Sequence, residues 1–544
     1  MKFTFETGGN LLKSRAVMPR DAEMLRAQAD KAGKFPLSDG RTVRMHKFKK
    51  RMYDAATTTN LNADFPVSIT SANAEILVSI SATRARARRL VRDNPYAANI
   101  ESVFANNVAG EEPFRLEMKV GKKDASGRFV EETETNDLIE EAWREAGKPE
   151  NCTSYRNQSR LELYHMAIAA VVRDGGVLFR HRRAYPKNDF GYAIEPLEID
   201  RLDHYWNRPG QPGVNEIKFS IELDEWHAPV AYWILTRHPG DVFAYSNQDA
   251  YRERVDAYDV VPFFGMRLRA EQQVGMSKFS SVIQRMHRLD QYDIAEMTAA
   301  IVSAIKIGFF TKTNTSDQYV GSETTEDGMK IDKVEPGMNF EEMPDNFDLK
   351  QFDPKHPVEA YAAFTDQNLR GVAVGTQLAH SSVSGNYAGM SFSTGRLEKQ
   401  PEKDTFKVLQ EHMKTSLVRP HFNEWIKYAI LSGTLPLPIS RLAEFQKAAT
   451  FHAHRWPYIN PLQDAQADVL RIKAGLDSRS NVIAESERGG NVEQIDCEQA
   501  SDKAIDERHG LDFTEQDPTK PDDMSPDDEG APPVKTGTTQ TIKN

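Results

Sequence analysis

The sequence predicts an α+β chain in which a mixed region of helix and strand precedes long helices. Between residues 160 and 265, short alternating runs are bounded by proline, glycine and aspartate, which is typical of strands. Residues 277–306 instead place apolar side chains three and four positions apart, which predicts one long helix. Residues 392–431 show the same helical spacing. Sheet and long helices thus occupy separate stretches, as in an α+β protein.

Length and composition limit the classes of protein to consider. The chain has 544 residues, too many for one hydrophobic core, so several domain-sized units are expected. Its formal net charge of −11 excludes a generally basic nucleic-acid coat. An acidic channel for DNA stays possible, because a wall along which DNA slides should not grip its phosphates. The sequence lacks an apolar signal core and any run of about eighteen apolar residues, so we expect synthesis in the cytoplasm and no membrane contact.

The cysteines and histidines predict neither a disulfide framework nor a metal site. Cys152 and Cys497 are far apart in sequence and show no metal-ligand spacing. His452 and His454 alternate in "FHAHRW" and could reach one ion, but no carboxylate or cysteine stands at ligand spacing beside them. A structural role near Trp456 is the stronger interpretation. We expect no metal and no cofactor.

The N-terminal part combines a polar arm with two arginine-rich patches. Residues 1–43 show little periodicity and predict a flexible arm. One basic patch lies between Arg44 and Arg51, and a second lies between Arg84 and Arg92, ahead of a turn at Asn94. The patches could contact phosphates, or they could form a solvated face or salt bridges between subunits. The second interpretation is favoured, since runs of charge are weak evidence for a ligand.

The predicted long helix of residues 277–306 would reach about 45 Å at 1.5 Å per residue. Ser277 is available as its N-cap, and its apolar stripe includes Met297 and Ile301. Residues 308–353 are rich in glycine, threonine and acidic residues, which predicts a small segment that contains strands. The carboxylates Asp290, Asp293 and Glu296 form an acidic ridge on the helix, either a solvated face or a channel lining.

A second helix is predicted at 357–373, ended by Gly375, and a glycine-rich loop follows it. This loop reads "HSSVSGNYAGMSFSTGR" over residues 380–396. In the helical stretch after it, Pro401 and Pro420 should kink or break the helix, because each removes a backbone donor.

Further helices are predicted near the C-terminus, at 462–475, 478–488 and 491–510. The tail 512–544 is rich in proline and aspartate and should be disordered.

Enzymatic motifs are weak in this sequence. It contains no G-x-x-x-x-G-K-[ST] loop, so nucleotide hydrolysis of the usual kind is not expected. The residues around Ser391 miss the final glycine of a nucleophile elbow and follow no apolar strand. We therefore predict no catalytic residue.

Eight motifs, in this order, resemble the portal proteins of lambda-type tailed bacteriophages. They are "RMYDAA", "RARARRLVRDNPYAANIESVFANNVAG", "RDGGVLFRHRR", "IEPLEIDRLD", "AYWILTRHPGD", "FDPKHPVEAYAAFTDQNLRGVAVG", "SGNYAGMSFSTGR" and "DAQADVLRIKAGLDSRSNVIAESE". Each motif is weak alone, but together they cover most of residues 44–510. The chain departs from the family in "STGRLEKQPEKDTF", where relatives tend to continue a smoother helix.

The resemblance implies an α+β portal fold with wing, stem, clip and crown regions, assembled as a ring. The regions expected in this sequence are an N-terminal arm (1–43), a wing (44–270), a first stem helix (277–306), a clip (307–353), a second stem helix (357–373), a tunnel loop (376–391, projecting at 380–391), a kinked helix returning to the wing (392–462), a crown (463–511) and a disordered tail (512–544).

The resemblance also implies a function and a set of partners. Portal proteins form a ring, usually of twelve subunits, at one capsid vertex, where DNA is packaged and ejected. The implied partners are further copies of the chain, double-stranded DNA without sequence preference, the terminase large subunit, the major capsid protein and head-completion or neck proteins. The protein is expected in the virion and to be made in the cytoplasm of the bacterial host.

Site residues are expected in the loop, the stem and the clip. The predicted channel contacts for DNA are His380, Asn386, Tyr387 and Arg396. Gly385 and Gly389 are expected to let the loop adjust, Met297 and Ile301 to support ring assembly, and Phe309 and Phe310 to support docking in the clip. Two alternatives stay open. One is a hydrolase or nuclease that uses the loop serines or the acidic ridge, and the other is an adaptor without a channel.

Overall fold

The computed structural model describes most of the chain, namely residues 34–36, 42–44, 69–123, 129–241, 251–305, 308–312, 323–324, 330–331, 347–351, 360–456, 461–485 and 492–509. The chain divides into two units, Met1–Ser71 and Ala72–Asn544. In the first unit, strand β1 (Lys34–Pro36) pairs antiparallel with β2 (Thr42–Arg44). The predicted disordered tail and most of the predicted arm lie outside the described residues.

Three helices, α1, α2 and α5, form the first layer of the second unit. Helix α1 spans Ala72–Asp93, α2 spans Pro95–Val108 and α5 spans Arg160–Asp174. Between α2 and α5 the chain forms β3 (Arg115–Met118), β4 (Gly121–Lys123), β5 (Phe129–Glu131), α3 (Thr133–Ala146) and α4 (Pro149–Cys152). Asn94 caps α2 by accepting a hydrogen bond from the Ala97 amide at 3.1 Å, and Pro95 follows in the first turn. Ser159 and Glu162 form a capping box at the start of α5.

A glycine turn at Gly175-Gly176 joins α5 to the sheet. Gly175 has φ +86° and ends the helix, and its carbonyl accepts a hydrogen bond from the Gly265 amide. A Cβ on Gly275 would lie 2.0 Å from the Gly175 carbonyl oxygen. This close approach of three backbone segments requires glycine.

Two antiparallel sheets complete the region predicted as wing. The first has the order β12 (Val260–Phe264), β6 (Gly176–Arg183), β7 (Tyr192–Leu197). The second has the order β11 (Arg252–Asp256), β10 (Pro229–Leu235), β9 (Ile221–Leu223), β8 (Glu216–Lys218). The mixture of helix and sheet confirms the predicted α+β class.

The predicted long helix of residues 277–306 has two parts. A short 3-10 helix, Lys278–Ser281, is capped by Ser277, and helix α6 (Ile283–Ile305) follows it. Helix α6 therefore starts six residues later than predicted. Val282 adopts the C-cap of the 3-10 turn and packs against the second helix, which explains the break between the two parts.

The segment predicted to contain strands does contain them. They are β13 (Gly308–Lys312), β14 (Glu323–Thr324), β15 (Lys330–Ile331) and β16 (Phe347–Gln351). Strand β13 pairs antiparallel with β16, and β14 pairs antiparallel with β15.

Helix α7 (Ala360–Thr376) follows, and the prediction that Gly375 ends it is wrong. The helix continues to Thr376, and the left-handed position after it is Gln377, with φ +62°. Gly375 serves helix packing instead, because a Cβ there would lie 2.4 Å from Val282 Cγ1.

Helix α8 (His380–Ser384) lies within the predicted loop. The helical stretch after the loop is nearly continuous and comprises α9 (Phe392–Met413), a π-helical turn (Lys414–Val418) and α10 (Arg419–Leu431). Pro401 lies inside α9 and does not end it, which corrects the expected break. Pro420 lies in the first turn of α10, directly after the π-helical turn, where the missing amide is tolerated.

The C-terminal part returns one strand to the wing and then becomes helical. Its elements are α11 (Leu442–Ala448), β17 (Ala449–His452), which pairs with β3, and the helices α12 (Pro461–Lys473), α13 (Arg479–Glu485) and α14 (Val492–His509). The bounds of the three last helices lie within two residues of those predicted, apart from the predicted end of the middle helix at residue 488, which lies outside the described residues.

Candidate functional site

The predicted tunnel loop begins with a buried helical turn rather than with flexible chain. Ser381, Ser382 and Val383 in α8 are buried, and the Asn99 side-chain amide donates to the Ser382 carbonyl at 2.6 Å. Packing of this turn against α2 holds residues 380–384 in place. The exposed loop is therefore shorter than predicted, and we define it as residues 385–391.

The exposed loop contains four of the predicted site residues. Gly385 and Gly389 have φ of +68° and +72°, and no atom of the described residues lies within 4 Å of a Cβ added at either position. Between them, Tyr387 is 60% exposed, and the Asn386 side-chain oxygen accepts a hydrogen bond from the Ala388 amide at 2.9 Å. The loop is thus shaped by backbone conformation and an Asx-type turn, with the tyrosine presented to solvent.

Two predicted DNA contacts, His380 and Arg396, do not lie on the exposed loop. His380 belongs to α8, and its Nε2 lies 3.1 Å from Asp366 Oδ1 of α7. Arg396 belongs to α9, and its guanidinium lies 3.3 Å from Asp464 Oδ1 of α12. Each side chain thus links two helices at the base of the loop. Their closeness to the loop in sequence did not reveal these ion pairs.

Ser391 serves as the N-cap of α9. Its hydroxyl accepts a hydrogen bond from the Thr394 amide at 3.2 Å and lies 2.9 Å from the Thr394 hydroxyl. A capping role explains why a serine stands at this position between glycine-rich loop and helix.

Helix α6 changes character along its length. Ile283, Met286 and Leu289 are buried within the subunit, whereas further along Met297 is 64% exposed and Ile301 is 58% exposed. Ile294 is exposed in the same way, so Ile294, Met297 and Ile301 form an exposed apolar row on one side of the helix. Such a row is typical of a surface that another protein covers.

The acidic ridge of α6 is partly engaged by the neighbouring helix α7. Asp293 Oδ1 accepts a hydrogen bond from the Tyr361 hydroxyl of α7 at 3.1 Å. Burial raises the pKa of Asp293, and the neighbouring Asp290 raises it further. Part of the ridge therefore joins the two helices that were predicted to form the stem.

Phe309 and Phe310 lie in strand β13, opposite Lys350 and Leu349 of β16. Their side chains lie outside the described residues.

The second arginine patch is used inside the subunit. Arg84 occupies the buried face of α1, where its Nε donates to the Asp174 carbonyl at 3.0 Å. Arg88 Nε lies 2.6 Å from Asp174 Oδ1, and its other end pairs with Asp200. Arg89 and Arg92 of the same patch are exposed, as the favoured interpretation of a solvated face expects. The buried position of Arg84 was not anticipated, although its spacing from Ile76 and Ile80 could have placed it on the apolar face.

The two histidines of "FHAHRW" have structural roles, as predicted. His452 Nε2 lies 2.7 Å from Glu117 Oε2, and the His454 ring contacts the Trp456 ring at a centroid distance of 5.8 Å. Burial alone would raise the pKa of Glu117, but contacts with His452 and Lys119 lower it below its ordinary value.

Glu198, Asp200 and His238 form a group with metal-ligand chemistry. The Gly240 amide donates to His238 Nδ1 at 3.0 Å, which places the ring proton on Nε2. That nitrogen faces both carboxylates, at 3.1 and 3.6 Å, and as N–H it cannot ligate a metal. Asp200 of this group is engaged by Arg88 of α1 instead.

Sequence reasoning missed the polar residues that support the loop from α9. Glu398 accepts a hydrogen bond from the Ser381 amide at 3.0 Å, and buried Glu402 lies 3.2 Å from the ammonium of Lys399, which also donates to Ser382. Their three- and four-residue spacing on a helix was a usable signal. Among the described helices, none is both long and apolar enough to cross a lipid bilayer.

Comparison with known proteins identifies the family. The sequence matches the family described as "Phage portal protein, lambda family" over residues 58–410. It is 26% identical over 443 residues to the "Probable portal protein" of Halomonas phage phiHAP-1, covering 80% of this chain and 83% of that protein. It is 22% identical over 483 residues to "Portal protein B" of Escherichia phage lambda, covering 79% and 84%.

Among solved structures, "Neck of empty GTA particle computed with C6 symmetry" is 13% identical, with 75% of this chain and 92% of that chain covered and a TM-score of 0.41. The family assignment depends on the sequence match, which spans more than half of the chain. This chain therefore belongs to the lambda family of phage portal proteins.

Proposed function

We propose that this portal protein assembles into a ring of twelve subunits around a channel at one capsid vertex, through which double-stranded DNA enters and leaves. The observation that carries the proposal, beside family membership, is the exposed apolar row Ile294, Met297 and Ile301 on α6. An apolar row on a helix already anchored in its own subunit is best buried against a second copy of that helix pair.

The exposed loop, residues 385–391, is proposed to project into the channel. Its seven residues are Gly, Asn, Tyr, Ala, Gly, Met and Ser, none of which is charged. A neutral loop can contact moving DNA without the phosphate neutralisation that would hold it in place. Tyr387 and Asn386 would supply contacts that do not depend on base sequence.

Partners are assigned by region. The segment 307–353, with its paired strands, is proposed to dock first the terminase large subunit and later the head-completion or neck proteins. The region 44–270 is proposed to contact the major capsid protein in the virion. The hydrolase alternative gains no support, because the Ser391 hydroxyl is engaged as an N-cap and Asp293 of the acidic ridge is held by Tyr361.

Assembly is tested by measuring the mass of the purified protein and imaging it by negative-stain electron microscopy. Twelve chains of 61.5 kDa predict a ring of about 740 kDa with a central opening. A protein that stays monomeric at micromolar concentration and shows no ring would refute the proposal. The role in packaging is tested by counting full and empty particles after complementation of a portal-defective phage.

A further inference from the structure

A cavity of about 350 Å³ lies directly below the exposed loop. Its walls come from α2, α8, the loop, α9 and the residues after β17, and Tyr387 stands at its rim. The lining residues that matter chemically are Ser381, Ser382, Lys399, Glu402, Lys403 and Trp456. The cavity is half open, so a group at the loop could enter it.

Several polar groups in the cavity already have partners. Lys399 pairs with Glu402 at 3.2 Å and contacts the Ser382 hydroxyl. The Trp456 indole donates to Asn107 Oδ1 at 2.7 Å, which orients its ring. The Trp456 ring stacks on Phe406 at a centroid distance of 6.2 Å, so one wall is aromatic and rigid.

Two donors in the same cavity lack a matching acceptor among the residues that the structure describes. Ser381 is fully buried, and its hydroxyl makes no hydrogen bond to any other residue in the described part of the chain. The half-buried Lys403 has its ammonium 5.4 Å from the Trp456 ring centre, and within 4 Å of it the described residues place no carboxylate. A buried hydroxyl without a partner is costly, and so is a half-buried ammonium without a direct ion pair.

Lys403 differs in this respect from the other cations on its helix. Arg396, Lys399 and Lys407 each pair with a carboxylate, namely Asp464, Glu402 and Asp404. Burial lowers the pKa of Lys403, the nearby cations Lys407 and Arg396 lower it further, and the carboxylate of Asp464 only partly opposes them. A bound anion would reinforce the effect of Asp464.

We propose that this cavity is a phosphate-binding site in which Lys403 and Ser381 hold one phosphodiester group of double-stranded DNA behind the loop. The inference depends on the proposed function, since it needs DNA in the channel. A neutral group, such as the phenol of Tyr387 turned inwards, could accept a hydrogen bond from Ser381 but would leave the ammonium of Lys403 without a direct ion pair. One such cation per subunit, behind a neutral loop, gives a weak contact that still allows DNA to move.

The test measures binding of short fluorescent duplex DNA to assembled protein by anisotropy, between about 50 and 200 mM NaCl. Lys403→Met removes the charge while keeping the shape of the side chain, and Lys403→Arg restores the charge. Lys407→Met is the matched control, one helical turn further along α9 and outside the cavity. Ring mass is measured for every variant.

For each phosphate that Lys403 neutralises, Lys403→Met should weaken duplex binding about threefold and reduce the slope of log affinity against log salt by about 0.9. Lys403→Arg should retain wild-type behaviour, Ser381→Ala should weaken binding without changing the slope, and Lys407→Met should change neither. An unchanged slope in Lys403→Met, or an equal reduction in Lys407→Met, would refute the site.

A second arm distinguishes DNA from free phosphate. Inorganic phosphate is titrated while Trp456 fluorescence is followed, with Trp456→Phe to identify the signal of that residue. A phosphate response in wild type, combined with unchanged duplex binding in Lys403→Met, would show a site for free phosphate only and would overturn the DNA assignment. If wild-type rings bind no duplex at all, the proposed function fails first, and that outcome is separate from failure of this site.

Discussion

His181 and His421 are buried among aromatic rings and act as neutral hydrogen-bonding groups. His421 Nδ1 lies 3.1 Å from the Tyr164 hydroxyl, and its ring contacts Trp143 at a centroid distance of 5.1 Å. His181 Nδ1 lies 2.7 Å from the Tyr192 hydroxyl. Burial lowers the pKa of His181 to about 4 and lowers that of His421 well below its ordinary value.

These histidines should make the wing sensitive to mild acid. The unfolded chain binds a proton at each histidine below about pH 6.5, whereas folded His181 does so only near pH 4. Stability is therefore lost as pH falls through this window. We expect His181 alone to cost about 2 kcal/mol of unfolding free energy between pH 7 and pH 5.

Urea unfolding of wild type and of His181→Gln at both pH values measures this effect. The variant should be less stable at pH 7, because the contact with Tyr192 is altered, but should lose less stability on acidification. Equal losses in the two proteins would show that His181 is not responsible.

The glycines of the exposed loop should be sensitive to β-branched replacement. Gly385 and Gly389 have left-handed backbones in open space, so strain from φ and not a clash is the expected cost, about 1–3 kcal/mol locally. Gly385→Val and Gly389→Val should give assembled capsids with less packaged DNA. Gly213→Val is the matched control, since Gly213 has φ +76° in open space in the wing. Normal full-particle counts in both loop variants would contradict a mechanical role for the loop.

Substitutions at Tyr387 and Ser391 should distinguish the loss of a DNA contact from the loss of local helix stability. From the sequence alone, a hydroxyl in a wet loop predicts little effect of Ser391→Ala. The N-cap now predicts a loss of about 1 kcal/mol in the stability of the start of α9, which Ser391→Asp should preserve. Tyr387→Ala should lower DNA retention by an intermediate amount without altering stability. A complete loss of packaging in Ser391→Ala, with Ser391→Asp equally inactive, would instead favour a chemical role for the hydroxyl.

At the scale of elements, α6 and α7 form a pair that is tightly packed where the start of α6 meets the end of α7. A Cβ on Gly371 would lie 2.3 Å from the Arg285 guanidinium, and a Cβ on Gly375 would meet Val282. Further along, Tyr361 and Phe364 of α7 contact Tyr292 of α6, with centroid distances of 5.9 and 4.9 Å. The pair is thus held by its own contacts, and the exposed apolar row is left for a partner.

Charges in the exposed apolar row should weaken assembly more than folding. Met297→Lys and Ile301→Lys each place a charge where we expect burial against a neighbouring subunit, and each buried apolar side chain contributes about 1.5–3 kcal/mol. We expect the ring fraction at fixed concentration to fall at least about tenfold, with little change in thermal unfolding of the wing. Ala295→Lys, exposed on a different side of the same helix, is the control. Intact rings in both row variants would refute the stem assignment.

At the scale of the whole molecule, the chain places its paired strands between two long helices. Strands β13 to β16 follow the end of α6 and precede α7. This order along the chain suits a docking segment that can change without disturbing the wing, because a long helix stands between the segment and the wing on each side in sequence.

Phe309 and Phe310 should therefore affect docking and not assembly. Phe309→Ala and Phe310→Ala are expected to spare ring mass but to reduce capture of the terminase large subunit in a pull-down. Rings with residues 313–346 replaced by a short linker provide a stronger variant of the same test. Unchanged terminase affinity in such rings would rule out this segment as the docking site.

The sequence by itself determined what depends on local rules. Helix spacing predicted the long helices and the C-terminal helices, and turn chemistry predicted the turn at Asn94. The collinear motifs predicted the family, which the family match confirms. These features depend on residues close together in the chain, and their physical causes are present in any short window of sequence.

Only the tertiary structure decided which side chains are used inside the subunit. Arg84 and Arg88 are held by Asp174 and Asp200, about ninety residues or more away, so their apparent basic patch is largely neutralised. Ser382 of the loop is fixed by Asn99, 283 residues earlier in the chain. Lys403 is a candidate phosphate ligand because the other cations on α9 pair with carboxylates in the folded chain, whereas Lys403 forms no ion pair within the described residues. Burial and charge compensation depend on contacts between residues that are far apart in sequence, so they cannot be predicted from spacing along the chain.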